Sequence, residues 1–400
     1  MTRRASIATA CFLLLSSTVT ASDVKRTADQ IAQQTIIVDG HIDVPYRVKE
    51  RWVDVTQATE GGDFDYPRAV AGGLNAPFMS IYVPASLDNS AKSTQLAHEL
   101  IDSVEAIVYR APDKFAIAKT VKDVEEQFKK GLISLPMGME NGSPIQGDLT
   151  NLVTFYERGI RYITLAHSQS NHISDSSYDI RRQWKGLSPF GKQLVSEMNN
   201  IGIMIDISHV SDAAFYQVLE ITEVPVIASH SSMRKFTPGF ERNMDDEMLK
   251  ALAQNGGVIM INFGSGFVSP VARLWRDRMG EQRQALIDQF GEDSEQVATF
   301  NQEYKKQNPY PFSTLEMVLD HIDHVAKTVG IDYVGIGSDY DGVGDSLPEG
   351  LKDVSTFPNL IQGLLDRGYN ESDIEKILSG NVLRVWRAAE DYAAKAKRSA

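Results

Sequence analysis

Thr35-Ile-Ile-Val-Asp-Gly-His-Ile-Asp43 begins as a run of β-branched aliphatics and breaks at its end into aspartate, glycine, histidine and aspartate. Branched side chains favour an extended strand, and along a strand successive side chains alternate faces. His41 and Asp43 are therefore expected to leave the same face of a strand end, close enough to share one metal ion.

Seven further apolar runs follow outward from this one, at 76–84, 132–140, 162–168, 202–210, 225–230, 257–263 and 334–342, with amphipathic helical patterns between them. Strands alternating with helices predict a parallel sheet, and eight such strands close into an α/β barrel of the (β/α)8, TIM-like type. Helix starts are marked by Thr120 before Val121, by Ser188-Pro189, and by Ser372 with Glu375 as a capping box. The helical lead-in is expected over 22–34. A long polar stretch, 264–312, interrupts the rhythm after the seventh run. It predicts a helical insertion on the strand-end face, either a lid or a subunit contact of a homodimer, or equally a solvated helical excursion.

At 42% hydrophobic and 23% charged residues the chain has ordinary globular composition, which excludes disorder. The net charge of -13 argues against nucleic acid or an anionic membrane as partner. MTRRASIATACFLLLSSTVTASDV reads as a signal peptide over 1–21, with Arg3 and Arg4 ahead of an apolar run and Val19 and Ala21 spaced for cleavage after Ala21. Residues 22–400 are then a single exported domain, periplasmic or secreted. The sole cysteine, Cys11, lies in the removed segment, so any metal must be held by histidine and carboxylate.

Catalytic groups of an α/β barrel come from the carboxyl ends of its strands. Here the first run ends on His41 and Asp43, the third on Glu140, the fourth on His167, the fifth on His209, the sixth on His230, and the eighth on Asp339 and Asp341. Four of the eight histidines thus hold equivalent places in the repeating unit. Imidazoles with Asp43 and Glu140 form a nitrogen and oxygen set suited to zinc, with too few oxygens for calcium. The set exceeds one ion's needs. Glu140, with two oxygens, can bridge two Zn2+ about 3.5–4 Å apart, and a water between them becomes hydroxide near neutral pH and attacks an amide carbonyl. Asp339 can take the proton and pass it to the leaving amine. Asp341 is expected to orient a loop. His321 and His324, at i and i+3 of a helical run, read as a helical surface pair; His172 stands apart, and Trp184 reads equally as mouth lining or packing.

The blocks DGHIDVPY, GLISLPMGMENG, YITLAHSQSN, GLSPFGKQLVSEMNNIGIMIDISHVSD, PVIASHSSMR, RNMDDEML, GIGSDYDGV with LPEGLKDVSTFPNLI, and NVLRVW run through nearly the whole chain. Together they resemble the membrane dipeptidase (renal dipeptidase) family of dinuclear zinc peptidases, within the amidohydrolase-like barrels. The resemblance implies that His41 and Asp43 bind one zinc, that His209 and His230 bind the second, and that Glu140 bridges them. It implies a substrate-facing His167, an Arg242 that holds the carboxylate of a dipeptide, and Asp339 as acid and base. Arg234 competes for the carboxylate, because the segment between His230 and Arg242 is slightly longer than the family pattern. The resemblance further implies tolerance of a C-terminal D-residue and side activity on β-lactams. The long insertion replaces a short aromatic-bearing loop of animal members, and no hydrophobic tail follows 381–400, so the lipid anchor of those members is not expected. Within the same metal chemistry, an N-acyl-D-amino-acid deacylase or a lactonase is the alternative.

Overall fold

In the computed structural model, which describes residues 26–399, the eight apolar runs become eight parallel strands in chain order. They are β1 (Val38–Ile42), β2 (Ala76–Tyr82), β3 (Met137–Glu140), β4 (Ile160–Thr164), β5 (Met204–Asp206), β6 (Ile227–Ser231), β7 (Val258–Ile261) and β8 (Val334–Ile336). Register is continuous through the functional ends: Tyr82 lies opposite Glu140, Glu140 opposite Thr164, and Thr164 opposite Asp206. The sheet closes on itself just past β8. Ile42 bridges Tyr340, the Asp43 amide donates to the Tyr340 carbonyl at 2.9 Å, and the Asp339 amide donates to the His41 carbonyl at 3.1 Å.

Strand starts supply the inner core: Val38, Phe78, Tyr162, Met204, Ile227 and Val258 cluster with Val385 and Trp386 of the C-terminal helix Asn381–Ser399. Trp386 meets Phe78 with ring centroids 5.3 Å apart. Truncating so large a buried ring costs about 3–5 kcal/mol, so Trp386→Ala is the single change expected to loosen this end most. Alternate strand residues such as Ile81, Met139, Ile163, Ile205 and Ile261 pack outward on the helices. Those helices start where short polar side chains accept their first amides. Thr120 takes the Asp123 amide, Ser188 takes that of Gly191, and Thr27 forms a capping box with Gln30.

Three local readings change. The run 132–140 divides at Pro136, which has no amide to donate: Ile133–Leu135 pairs with an extra strand, Phe115–Ile117, and only Met137–Glu140 joins the barrel. Ser372 is not the cap near the chain end. Asn370 accepts the Asp373 amide and starts the helix Glu371–Glu375 two residues earlier. The lead-in helix covers Ala28–Gln34; the expected signal segment, its cleavage point and Cys11 lie outside the described residues. Among the described residues no helix is long and apolar enough to cross a membrane.

The insertion leaves β7 through the short helix Ser265–Val268 and forms the helices Pro270–Phe290 and Glu295–Gln307. They are joined by an aromatic contact, Trp275 edge-on to Tyr304 at 5.2 Å and to Tyr310 at 4.9 Å. Few other side chains of the pair are buried, so most of their surface is polar and solvated.

Candidate metal centre

Asp43 stands where a helix-capping residue would stand, before Val44–Glu50, yet its side chain caps nothing. The strand has already ended at Ile42, with a register irregularity between Asp39 and Ile42. His41 and Asp43 therefore meet across a bulge and a helix start, not by the regular alternation that the sequence suggests. His41 Nε2 lies 3.4 Å from Asp43 Oδ2 and 3.4 Å from Glu140 Oε2. Glu140 turns its other oxygen to the far side, with Oε1 3.0 Å from His209 Nε2 and 3.2 Å from His230 Nε2. His167 Nε2 is farther, 3.6 Å from the same oxygen. The structure thus brings His41, Asp43, Glu140, His209 and His230 together, with His41 toward one oxygen of Glu140 and His209 and His230 toward the other.

Buried partners fix the ring orientations. The Tyr162 hydroxyl donates its one proton to the Gly40 carbonyl at 3.0 Å, so the 2.9 Å contact with His41 Nδ1 must use the imidazole's own proton. Ser229 Oγ donates to Asp206 Oδ2 at 2.6 Å, so His230 Nδ1, 2.7 Å away, likewise donates to Ser229. Both rings then turn Nε2 toward Glu140, the tautomer a metal ligand requires. Glycine makes room for this arrangement. A Cβ at Gly138 would fall 2.0 Å from the Tyr162 ring, and one at Gly342 would fall 2.2 Å from both Asp339 Oδ1 and Asp43 Oδ2. His209, Asp339 and Asp341 all adopt positive φ (70°, 64° and 66°), a strained backbone for non-glycine residues and one that clusters at functional sites.

The donor set fits a metal. His41 Nε2, Asp43 Oδ1 and His209 Nδ1 are buried without a hydrogen-bond partner, and the Nε2 atoms of His209 and His230 face each other at 2.9 Å. Burial, reinforced by the nearby Arg242 charge, holds the His209 imidazole well below its usual range; burial and the His41 charge do the same for His230. Both therefore stay neutral, as ligands must. Burial opposes charge on His41 too, but Tyr162, Glu140 and Asp43 outweigh it, so that ring holds a proton in the metal-free chain and a bound cation would displace it. Burial pushes Asp339 up to about 7, with the Asp43 and Glu140 carboxylates acting in the same direction. Asn262, at the end of β7, donates to Asp339 Oδ2 at 2.7 Å.

Arg242 is almost wholly buried. It donates to Ser231 Oγ at 2.6 Å and to the His230 carbonyl at 2.7 Å, while its Nε has no partner. Arg234 is instead fully engaged by Asp212 at 2.6 and 2.8 Å and by the Asn243 carbonyl at 2.7 Å. Asp341 ties a loop, its Oδ1 accepting the Asp63 amide at 2.6 Å. His321 is no surface residue: it is fully buried, accepts the Met233 amide at 2.9 Å and faces the Val268 carbonyl at 3.2 Å. His324 pairs with Asp246 at 2.7 Å, and His172 accepts the Gly147 amide outside the site. Trp184 packs, donating to the Asn171 carbonyl at 2.8 Å, and does not line the pocket.

A cavity of about 620 Å³ opens over the cluster. Tyr82, Tyr178 and Arg276 line it and were not singled out from sequence. Tyr82 closes β2 at the same level as Glu140 closes β3, a strand-end place that the sequence does display. Tyr178 and Arg276 lie in a loop and in the insertion, where periodicity carries no signal.

The family described as membrane dipeptidase, peptidase family M19, matches residues 25–400. Dipeptidase tcpJ of Claviceps purpurea is 32% identical over 372 residues, covering 90% of this chain and 78% of that protein. An uncharacterized dipeptidase of Schizosaccharomyces pombe is 31% identical over 383 residues, covering 92% and 84%. Among solved structures, the probable dipeptidase PvdM from Pseudomonas aeruginosa is 26% identical with a TM-score of 0.78, covering 92% of this chain and 98% of that one. A metallopeptidase from Rhodobacter sphaeroides, liganded with a phosphinate mimic of L-Ala-D-Ala, is 24% identical with a TM-score of 0.72 over 89% and 99% and shares the fold. The matched barrel, its histidine and carboxylate cluster and these relatives place the chain in the membrane dipeptidase family of peptide-bond hydrolases, M19.

Proposed function

We propose that this chain hydrolyses dipeptides bearing a free C-terminal carboxylate, and that His41, Asp43, Glu140, His209 and His230 would hold two zinc ions. The observation that carries the reading is the convergence on Glu140: His41, itself 3.4 Å from Asp43, approaches Oε2, and His209 and His230 approach Oε1. When bound, the ions would supply Lewis acidity and lower the pKa of an attacking water.

The protein residues do the rest. Asp339, held by Asn262 and raised to about 7, takes a proton at neutral pH and returns it to the departing amine nitrogen. His167, whose pKa burial lowers, is neutral and offers a ring N–H to the scissile carbonyl oxygen. Arg242, with its unpartnered buried Nε, binds the carboxylate of the substrate. A pocket closed by Tyr82, Tyr178 and Phe267 suits two residues and not a polypeptide. Export after cleavage at Ala21, and tolerance of a D-residue at the C-terminal side, belong to the same reading.

Metal analysis of purified protein should give about two zinc per chain. Gly-D-Ala and Ala-D-Ala should be turned over, while N-acetyl-D-alanine and simple lactones should not. Hydrolysis of the acylated amino acid with dipeptides inert would assign the site to the deacylase alternative.

A further inference from the structure

The insertion builds a second cavity, of about 540 Å³, that adjoins the metal pocket and shares Arg276, Val343 and Gly344 with it. Its remaining charged lining is mainly cationic: Arg283 and Lys305 line it with Trp275, Tyr310 and Phe312, and Asp345 is the single carboxylate. Arg283 has an acidic neighbour, Glu292 at 3.6 Å. Among the described residues, Arg276 and Lys305 have no hydrogen-bond or ion-pair partner at all. Two uncommitted cations beside a reaction pocket are unexpected in a chain of net charge -13.

The short helix Ser265–Val268 fixes which end of a substrate these cations meet. The Arg242 guanidinium lies 5.5 Å from the Phe267 ring centroid, and Arg276 packs over Gly266, where an added Cβ would fall 2.8 Å from its Cδ. Both arginines therefore flank the same turn of chain. Glu50 also lines the pocket and is a carboxylate outside the metal cluster, which suits a free ammonium. Phe267, which Arg242 flanks, lines the metal pocket together with Arg276, so a dipeptide with its α-carboxylate on Arg242 would have Arg276 and the annex within reach of its C-terminal side chain.

We infer that this annex is a specificity subsite selecting dipeptides with an acidic side chain on the C-terminal residue, with Arg276 and Lys305 receiving the side-chain carboxylate. The inference rests on the dipeptidase reading and names its substrate class. An exposed ion pair is worth little alone, but two cations at the mouth of a partly enclosed cavity are expected to favour acid over amide about tenfold.

The test measures kcat/KM for Ala-Glu, Ala-Gln, Ala-Lys and Ala-Ala, with L- and D-C-terminal residues, on the zinc-loaded full-length enzyme. Ala-Glu should exceed Ala-Gln about tenfold, and the ratio should shrink as salt rises from 20 mM to about 500 mM. In Arg276→Gln the ratio should fall toward one, Arg276→Lys should retain part of it, and Arg276→Glu should turn the preference toward Ala-Lys. Turnover of Ala-Ala and Ala-Gln with Ala-Glu no better, or a ratio that survives Arg276→Gln, overturns the subsite alone. If every dipeptide is inert, the dipeptidase reading fails and the subsite with it.

Discussion

His41 and His230, at the barrel end of the pocket, each commit one ring nitrogen to a fixed buried partner, whereas Arg276, on the insertion facing them, commits none. The barrel wall is closely packed and its polar groups are oriented by Tyr162, Ser229, Asp206 and Asn262. The insertion wall is solvated, and among the described residues its Arg276 and Lys305 side chains are unpaired where Arg273 and Arg283 have carboxylate neighbours. Preorganised groups suit bond cleavage, and adaptable ones suit choice among side chains. The contrast divides the labour of the site between two parts of the chain.

The hardest blow to the barrel wall is Glu140→Ala, which removes the carboxylate on which His41, His209 and His230 converge. Bound zinc should fall by at least one per chain and kcat/KM by about 10⁴ or more, read by metal analysis and dipeptide assay. Full activity in a metal-free variant would sink the two-ion reading. Asp339→Asn keeps the contact with Asn262 but cannot shuttle a proton, so kcat should drop about 10²- to 10⁴-fold with zinc content retained.

At the joint between the walls, His321 ties the loop after β6 to the root of the insertion, and burial lowers its pKa to about 3. Its unfolded value is near 6.5, so the unfolded chain takes up a proton first as pH falls. The stability it contributes is fully present above about pH 6.5 and is lost between there and pH 3, on the order of 3–5 kcal/mol in all. His321→Gln should flatten the urea-midpoint profile in that window relative to the parent; parallel profiles would remove His321 from the joint. Tyr162→Phe retains the ring in the hollow over Gly138 but frees His41 to rotate, and zinc affinity should weaken about 10- to 100-fold by chelator competition. The smallest effect belongs to the insertion wall. Arg276→Gln should leave unfolding free energy within about 0.5 kcal/mol of the parent, because no hydrogen bond or ion pair is lost and glutamine keeps the stem that packs over Gly266.

Much of this molecule is legible in its sequence because parallel strands buried on both faces are written as uninterrupted apolar runs. That property located the eight strands, and the polar residues that terminate them located His41, Asp43, Glu140, His167, His209, His230 and Asp339 together. Pro136 was in plain view but its effect was not, since splitting one run required Phe115–Ile117 as a partner from outside it. His321 was misread because helical periodicity reports a face, and here that face meets Val268 from the insertion. Arg234 and Arg242 are indistinguishable as letters. Only Asp212, brought beside Arg234 by the fold, separates the occupied guanidinium from the one with a donor to spare.

The seam of the barrel passes between His41 and Asp339. A nascent chain makes its first ligands early, yet they cannot be held until the final strand arrives and joins the two edges of the sheet. Closing a loop of this span is entropically costly and late, so competence to capture a cation is a late event of folding and not a nucleus for it. A truncation ending before Gly337 retains His41, Asp43, Glu140, His209 and His230 but should bind zinc no better than scattered histidines do.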